Sequence, residues 1–244
     1  MSVIVFLGPS LPRGEAAAIL DADYRPPVRH GDVWRALRER PRAIGIVDGV
    51  FGAVPSVWHK EILEALREGA HVFGAASMGA LRAAELDPYG MRGVGRIFAR
   101  FRDGAWRDDD EVALTHGPAE AGYVNLSLPM ANLRFTLEAA EAAGALTPAE
   151  AAAYAGAAKA VPYPRRVWST ADAAAREAGL APGRLDAFAA WRREGAVDAK
   201  GEDARAMLRA LRDFIATDPP PFRPAFRYEP TDLAEHARRR ALEV

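Results

Sequence analysis

Three short apolar runs constrain the fold of this 244-residue chain more than any other feature of its sequence. Each run is continuous rather than alternating, which is typical of strands buried on both faces of a parallel sheet. Helical stretches over residues 32–40 and 56–68 separate the runs, and strands that alternate with helices favour right-handed crossovers. We therefore predict an α/β fold with a parallel, Rossmann-like three-layer sheet in the N-terminal half. The runs are residues 3–7, 43–47 and 70–73.

The C-terminal half differs in character from about Ser127 onward. It is rich in alanine, and several stretches have apolar residues at helical spacing. Residues Thr147 to Glu150 have the form of a capping box, a common helix start, and the prolines after Asp218 end the last long helix. The sequence thus predicts two domains, an α/β core over residues 1–125 and a helical annex over residues 126–244 that packs on the core.

Charge and hydropathy argue against several classes of function. The formal net charge is −1 at pH 7, which argues against bulk electrostatic capture of nucleic acid or of an anionic membrane. No apolar run approaches the ~20 residues of a transmembrane helix, and the first residues lack the basic leader of a signal peptide. We expect a cytoplasmic protein that binds neither nucleic acid nor membrane.

The chain contains no cysteine, and this composition has chemical consequences. It excludes disulfides, persulfides, thiolate nucleophiles and cysteine metal sites. The five histidines are scattered, without the paired spacing of zinc ligands. The sequence therefore predicts neither a metal nor another cofactor.

Polar residues follow each of the three apolar runs. Ser10 comes after the first, Asp48 after the second and Ser77 after the third. In open α/β sheets, ligands bind beyond the carboxyl ends of the strands, so these residues predict a site at that edge. The alternative is that glycine, serine and aspartate occupy these loops for turn and capping reasons. The site is favoured because Asp48 has no obvious helix to cap nearby.

The stretch from Phe73 to Glu85 joins the third run to a helix. Small residues crowd this junction, which suits a sharp turn. Ser77 lies at the turn with Gly79 two residues later, as in the second half of a nucleophile elbow. Ala75 stands where that motif has its first glycine, and the alternative is that Ser77 simply caps the helix.

Two other motifs carry weaker functional interpretations. The acidic run from Asp108 to Glu111 could serve acid–base chemistry or hold a cation, but such runs are usually solvated loops or helix starts. The glycines between Gly90 and Gly95 do not follow a strand and open a helix, so they do not indicate dinucleotide binding.

Several of these motifs occur in one order over roughly residues 3–137. They are Gly8-Pro9-Ser10-Leu11, Arg25-Pro26-Pro27, Gly31-Asp32, Asp48-Gly49-x-Phe51, residues 57–63, residues 73–85, Gly90-Met91-x-Gly93-x-Gly95 and residues 109–113. Together they resemble the TfuA-like family. The resemblance fades in the helical half.

The resemblance implies a role beside YcaO proteins, which activate a peptide-backbone amide with ATP. TfuA-like proteins accompany the YcaO enzymes that exchange the amide oxygen for sulfur. The implied partners are a YcaO protein, a peptide substrate and a ubiquitin-like sulfur carrier with a C-terminal thiocarboxylate. Because this chain has no cysteine, it cannot relay sulfur as its own persulfide. It must hydrolyse a thiocarboxylate that a partner presents, or dock that partner.

A hydrolytic mechanism can be written for this role. Ser77 attacks the thioacyl carbon of the carrier, and sulfide leaves. Helix N-terminal amides near Met78 and Gly79 stabilise the tetrahedral intermediate, an effect worth about 3 kcal/mol per donor.

His59 is the predicted base in this mechanism, because it lies near the start of the second crossover helix. Asp48 or Glu61 would orient its ring. We expect Ser10, Asp48, His59 and Ser77 to line one pocket.

The remaining candidate residues are predicted to bind substrate. Lys60 and Arg82 would hold the anionic terminus of the carrier. Alternatively, His59 and Lys60 are surface residues of a helix, and Arg82 forms an i, i+3 ion pair with Glu85. The full set of predicted binding residues is Gly8, Ser10, Lys60, Met78, Gly79, Arg82, Glu85 and Glu111.

Two functions of different classes stay open at this point. One is an enzyme that releases sulfide from a thiocarboxylated carrier. The other is a non-catalytic adaptor that joins carrier, YcaO and peptide. A free-standing serine esterase is disfavoured, because no late histidine follows in the order of elbow, acid and histidine.

Overall fold

In the part of the chain that the computed structural model describes, residues 2–52 and 54–243, five parallel strands form one sheet. Their order across the sheet is β2-β1-β3-β4-β5. This architecture confirms the predicted parallel α/β fold. The strands are β1 (Val3–Phe6), β2 (Asp23–Arg25), β3 (Ala43–Ile46), β4 (His71–Ala75) and β5 (Arg92–Val94).

The three predicted strands are β1, β3 and β4, and every residue in them is buried. The sequence did not predict β2 and β5, which are the two edge strands. Each has three residues, and in β2 only Tyr24 is buried. An edge strand has a neighbour on one side only, so it does not need the continuous apolar run of a central strand.

The described helices fall into two compact units. The sheet unit is Met1–Arg107 with Lys200–Val244, and the helical unit is Asp108–Ala199. Helices α1 (Arg13–Ile19), α2 (Asp32–Leu37), α3 (His59–Arg67), α4 (Met78–Leu86), α5 (Arg96–Arg102), α10 (Ala199–Ala216) and α11 (Asp232–Leu242) accompany the sheet. Helices α6 (Met130–Ala142), α7 (Pro148–Ala160), α8 (Trp168–Glu177) and α9 (Pro182–Gly195) form the helical unit. None of the described helices has both the length and the apolar character needed to cross a membrane.

This division differs from the predicted boundary at residue 125. The chain returns to the sheet after the helical unit, because α10 has an apolar stripe that the sheet can bury. Ala204, Met207, Leu208 and Leu211 of that stripe belong to one hydrophobic cluster with residues of β1, β3, β4 and α1. Residues 200–244 therefore belong with the α/β core rather than with a separate annex.

Two layers of helices cover the sheet. Helices α1 and α10 pack on the face that presents Val5 and Phe73. Alternate strand residues such as Ile44 and Ile46 point to the opposite face. There α3 and α4 contact the strands and α2 packs against α3, as right-handed crossovers in this strand order require. All the carboxyl ends of the strands consequently meet at one edge.

Two carboxylates of the acidic run, Asp110 and Glu111, are paired with cations within the helical unit. Asp110 accepts two hydrogen bonds from Nη2 of the fully buried Arg166, both at 2.9 Å. Glu111 accepts hydrogen bonds from Arg134 at 2.7 Å and Lys159 at 2.9 Å. Among the described residues, no group of three or more His, Asp and Glu side chains is placed to hold a metal ion.

Candidate active site

The strand order reverses direction between β1 and β3, and such a reversal marks the ligand crevice of doubly wound sheets. The loop after β1 carries Gly8 and Ser10, and Asp48 follows β3. Asp48 Oδ2 accepts hydrogen bonds from the Gly8 amide at 2.9 Å and the Ser10 amide at 3.0 Å. Its Oδ1 accepts the Ser10 hydroxyl proton at 2.6 Å. The fold thus brings these three predicted site residues together, and the buried carboxylate holds the loop after β1 in place.

The turn from β4 to α4 is backbone-strained at the residue before Ser77. Ala76 has φ +65°, a left-handed conformation that is costly for a residue with a side chain. The Ser77 amide donates to Ala75 O at 2.7 Å across this residue, which makes the turn a γ-turn of the rare, strained kind. The structure therefore has a sharp strand-to-helix turn at the predicted position.

Ser77 is the N-cap residue of α4 by position, but its side chain makes no capping hydrogen bond. Its Oγ instead accepts a hydrogen bond from Lys200 Nζ at 3.0 Å. Both residues are buried, each with 2% of its surface exposed. The hydroxyl is therefore held next to an amine rather than used to start the helix.

Lys200 lies in the first turn of α10, 123 residues after Ser77. No local motif surrounds Lys200 that would mark it as a site residue in the sequence. The helical spacing of buried positions in α10 is a signal that could have indicated Lys200. The buried stripe of this helix includes residues 200, 203, 204, 207, 208 and 211. The first two of these positions are charged, Lys200 and Asp203, whereas the others are apolar. Charged residues on an otherwise buried stripe need a polar partner.

Asp203 finds that partner at the start of α5. Its carboxylate accepts hydrogen bonds from the Arg96 amide at 3.0 Å and the Ile97 amide at 2.8 Å. Burial raises the pKa of this carboxyl, and the two backbone hydrogen bonds act in the opposite direction. A Cβ on the neighbouring Gly95 would lie 2.2 Å from Asp203 Cγ, so a glycine is required there. The first turn of α10 is thereby fixed at the loops that follow both β4 and β5.

The amides at the start of α4 are mostly engaged. Gly79 donates to Val47 O at 3.2 Å, and the next two amides donate to Ser77 O. Within the described part of the chain, the Met78 amide has no hydrogen-bond acceptor. We predicted that the amides of Met78 and Gly79 both serve an intermediate. In this structure the Gly79 amide is occupied, and the Met78 amide is the available donor.

His59 begins α3 and contacts a different carboxylate from those predicted. Its Nε2 lies 2.8 Å from Glu85 Oε2, and both side chains are nearly half exposed. Arg82 Nη1 also donates to Glu85 at 2.7 Å, so the expected i, i+3 ion pair is present. Burial tends to raise the pKa of Glu85, but its hydrogen bonds and ion pairs with His59 and Arg82 lower it overall.

Glu61, the alternative orienting acid, has described hydrogen bonds to residues other than His59. It is fully buried and accepts hydrogen bonds from the Gly31 amide at 2.9 Å and the Trp58 amide at 3.0 Å. His30 Nδ1 lies 3.1 Å from Glu61 Oε1, the same oxygen that accepts the Trp58 amide. Burial raises the pKa of Glu61 to about 7, although the backbone hydrogen bonds lower it. This side chain connects the starts of α2 and α3.

Two other predicted binding residues also have partners of their own. Lys60 Nζ donates to Glu229 O at 2.5 Å and lies 5.3 Å from the centroid of the Tyr228 ring. Glu111 lies in the helical unit, where its carboxylate is bonded as described above.

The site residues form three groups. Two of these groups, the Ser10–Asp48 pair and the Ser77–Lys200 pair, are neighbours at the sheet edge. Their loops touch, since the Gly79 amide donates to Val47 O and a Cβ on Gly49 would lie 2.7 Å from Met78 Cβ. No hydrogen bond among the described residues joins His59 to either group. The structure therefore presents a buried serine–lysine pair at the carboxyl edge, a combination known to support hydrolysis.

The chain was compared with models of known protein families. The model of a family described as TfuA-like protein matches residues 48–167. That region includes Asp48, His59 and Ser77, whereas Ser10 and Lys200 lie outside it. No curated protein matches the chain.

Proposed function

We propose, because residues 48–167 match the model of the TfuA-like family, that this chain acts with a YcaO enzyme in the backbone thioamidation of a peptide or protein. Its task in this proposal is to release sulfide from a thiocarboxylated sulfur-carrier protein. The absence of cysteine supports a role in which a separate carrier protein holds the sulfur, because a chain that cannot form a persulfide must receive its sulfur on another molecule.

The proposed reaction is an acyl transfer to Ser77 followed by hydrolysis. Ser77 Oγ attacks the carbonyl carbon of the carrier's thiocarboxylate, the C–S bond breaks, and the sulfur leaves as HS⁻ with the proton of the serine hydroxyl. Water then cleaves the acyl-serine ester and returns the carrier with a C-terminal carboxylate. The Met78 amide stabilises the oxyanion, a contribution of about 3 kcal/mol for one well-placed donor.

The observation that carries this proposal is the state of the Ser77 hydroxyl. It lies at a strained strand-to-helix turn, makes no capping bond and contacts a buried amine at 3.0 Å. Strained backbone at the end of a strand is a common property of catalytic sites. A serine that served only to start a helix would use its oxygen to accept a backbone amide.

Access to this hydroxyl is part of the proposal, because Ser77 is only 2% exposed. A carrier C-terminus reaches Ser77 once the sheet edge opens. We assign that opening to the binding of carrier or YcaO, so that sulfide is released only inside the assembled complex.

The second candidate function is the non-catalytic adaptor, and the same burial favours it. In this alternative the chain docks the carrier and the peptide on the YcaO enzyme, and the contact between Ser77 and Lys200 is structural. The two functions differ in whether this chain breaks the C–S bond.

Sulfide release from a purified thiocarboxylated carrier, with and without YcaO, distinguishes them. We expect wild-type chain to release sulfide and the S77A variant to fall to the background rate while keeping its fold. The S169A variant, which alters an exposed serine of α8, is the matched control. Release that is unchanged in S77A would remove Ser77 as the nucleophile. Thioamidation that needs this chain but proceeds without any release catalysed by it would establish the adaptor.

A further inference from the structure

We propose that a cavity beside the ends of β1 and β2 binds a phosphate-bearing anion, and that the guanidinium of Arg29 is the group that recognises it. The cavity has a volume of about 320 Å³ and lies within the sheet unit. The inference goes beyond the proposed sulfide release, because that reaction uses no residue of this cavity. The cavity is lined by Phe6, Arg25, Pro26, Arg29, Asp32 and Arg35.

The cavity lies at the carboxyl edge of the sheet. Phe6 and Arg25 are the last residues of β1 and β2, and they are partners in the register of these two strands. Ligands of open α/β sheets bind beyond this edge. Strands β1 and β3 separate β2 from β4, so the cavity is distinct from the turn that holds Ser77.

Asp32, the carboxylate that lines the cavity, is engaged through both of its oxygens. Its Oδ1 accepts a hydrogen bond from Arg35 Nη2 at 2.7 Å, and its Oδ2 accepts the Arg29 amide at 2.7 Å. The carboxylate therefore balances the charge of Arg35 and fixes the backbone at Arg29. The guanidinium of Arg29 has no hydrogen-bond acceptor or ion-pair partner in the part of the chain that the structure describes. This cation is left for a ligand.

The other two arginines of the cavity are held in position by contacts of their own. Arg25 Nε donates to Asp23 at 2.7 Å, and its Nη2 donates to Glu39 at 2.6 Å. Arg35 Nη1 donates to Ala241 O at 2.8 Å. Arginine has five N–H donors, so both side chains keep donors that a ligand can use. Groups that are already held in one geometry lose less conformational freedom when a ligand binds.

The number and type of these cations favour phosphate over other anions. The planar fork of a guanidinium matches the oxygens of a phosphate group in pairs. A single carboxylate carries one charge and two oxygens, which one arginine can satisfy, whereas three arginines around one cavity suit an anion with more charge and more oxygens. The volume is at the lower end of the range for small-molecule sites, roughly 300–1,000 Å³. Such a cavity suits free phosphate, pyrophosphate or the phosphates of a nucleotide.

Equilibrium dialysis of the full chain against radiolabelled phosphate, pyrophosphate, ATP and acetate tests this proposal. The R29Q variant removes the cation that lacks a partner. Arg29 is exposed, and its backbone bond to Asp32 does not involve the side chain, so R29Q should keep the urea midpoint of wild type. R38Q is the control, because Arg38 is an exposed arginine at the other end of α2 and does not line the cavity.

We expect wild-type chain to bind at least one of the three phosphate probes with a Kd of about 1 mM or lower. R29Q should weaken that binding about tenfold or more, as expected when a charge-assisted hydrogen bond is lost. R38Q should bind like wild type, and acetate should bind more weakly than phosphate. ATP that binds more tightly than pyrophosphate would identify a nucleotide as the ligand, whereas equal affinities would identify the phosphate group alone.

Three results would overturn the proposal. The first is no binding of any phosphate probe by wild type up to about 10 mM. The second is equal weakening in R29Q and R38Q, which would show attraction to net charge rather than to this cavity. The third is acetate that binds as tightly as phosphate. Because neither carrier nor YcaO is present in the dialysis, failure here leaves the proposed sulfide release unaffected.

Discussion

The close approach of α4 to β3 makes Gly79 the position of the candidate site most sensitive to an added methyl group. A Cβ on Gly79 would lie 1.7 Å from Ile46 O and 2.6 Å from Ile46 C. Both contacts are with backbone, which cannot rotate away as a side chain can. In the G79A variant α4 must therefore retreat from the sheet by roughly 1 Å or more to reach van der Waals contact.

The expected cost has two parts. The retreat breaks the hydrogen bond from the Gly79 amide to Val47 O, a loss of about 1 kcal/mol. It also separates the buried side chains of α4 from the sheet, and overpacking of this kind typically costs about 1–3 kcal/mol. We therefore expect G79A to lower the free energy of unfolding by about 2–4 kcal/mol, which shifts the urea midpoint of the sheet unit by about 1–2 M if m is about 2 kcal/mol/M.

Urea unfolding followed by circular dichroism measures this shift, and G14A is the matched control. Gly14 lies in α1 of the same unit, and a Cβ there would meet no atom within 4 Å. Alanine is favoured over glycine in a helix, so G14A should gain up to about 1 kcal/mol. A G79A midpoint equal to that of G14A would refute the packing of α4 on β3, and with it the placement of Ser77 and Met78.

Two further predictions concern buried carboxylates. The S10A variant leaves Asp48 without its hydroxyl donor at 2.6 Å, so its free energy of unfolding should fall by about 1–3 kcal/mol; an unchanged urea midpoint would contradict the geometry of this pair. Because the pKa of Glu61 is raised from 4.5 to about 7 in the folded state, its contribution to stability is greatest below pH 4.5 and is lost as pH rises to 7, by at most about 1.4 kcal/mol per pH unit. Urea midpoints between pH 5 and 7 should therefore fall less, or rise more, with pH in E61Q than in wild type, and parallel profiles would show that burial does not perturb Glu61.

The three central strands and the proximity of Ser10 and Asp48 can both be predicted from the sequence, and the reason is the same. Strands β1, β3 and β4 are buried on both faces, so each leaves a continuous apolar run that can be recognised. Once they are placed in a parallel sheet, the residues after their ends must share an edge. The proximity of Ser10 and Asp48 can therefore be predicted from the sequence.

The edge strands and the contact between Lys200 and Ser77 depend on tertiary contacts that no local sequence pattern indicates. The edge strands β2 and β5 have three residues each and are partly exposed, so no apolar run marks them. Lys200 meets Ser77 only because α10 returns to the sheet after the helical unit. The charged residues at the start of the apolar stripe of α10 can be recognised in the sequence. A helical pattern does not predict which surface buries that stripe.

The return of α10 has a consequence for how this protein is made. Until residues 199–216 have left the ribosome, the sheet face that presents Val5 and Phe73 has only α1 of its two described helices, and Ser77 has no lysine beside it. Domains generally fold as units during synthesis, so we expect the first 107 residues to complete their fold only after α10 has been synthesised. Ser77 and Lys200 therefore meet only after α10 has been synthesised, and a fragment cut to residues 48–167 would lack Lys200.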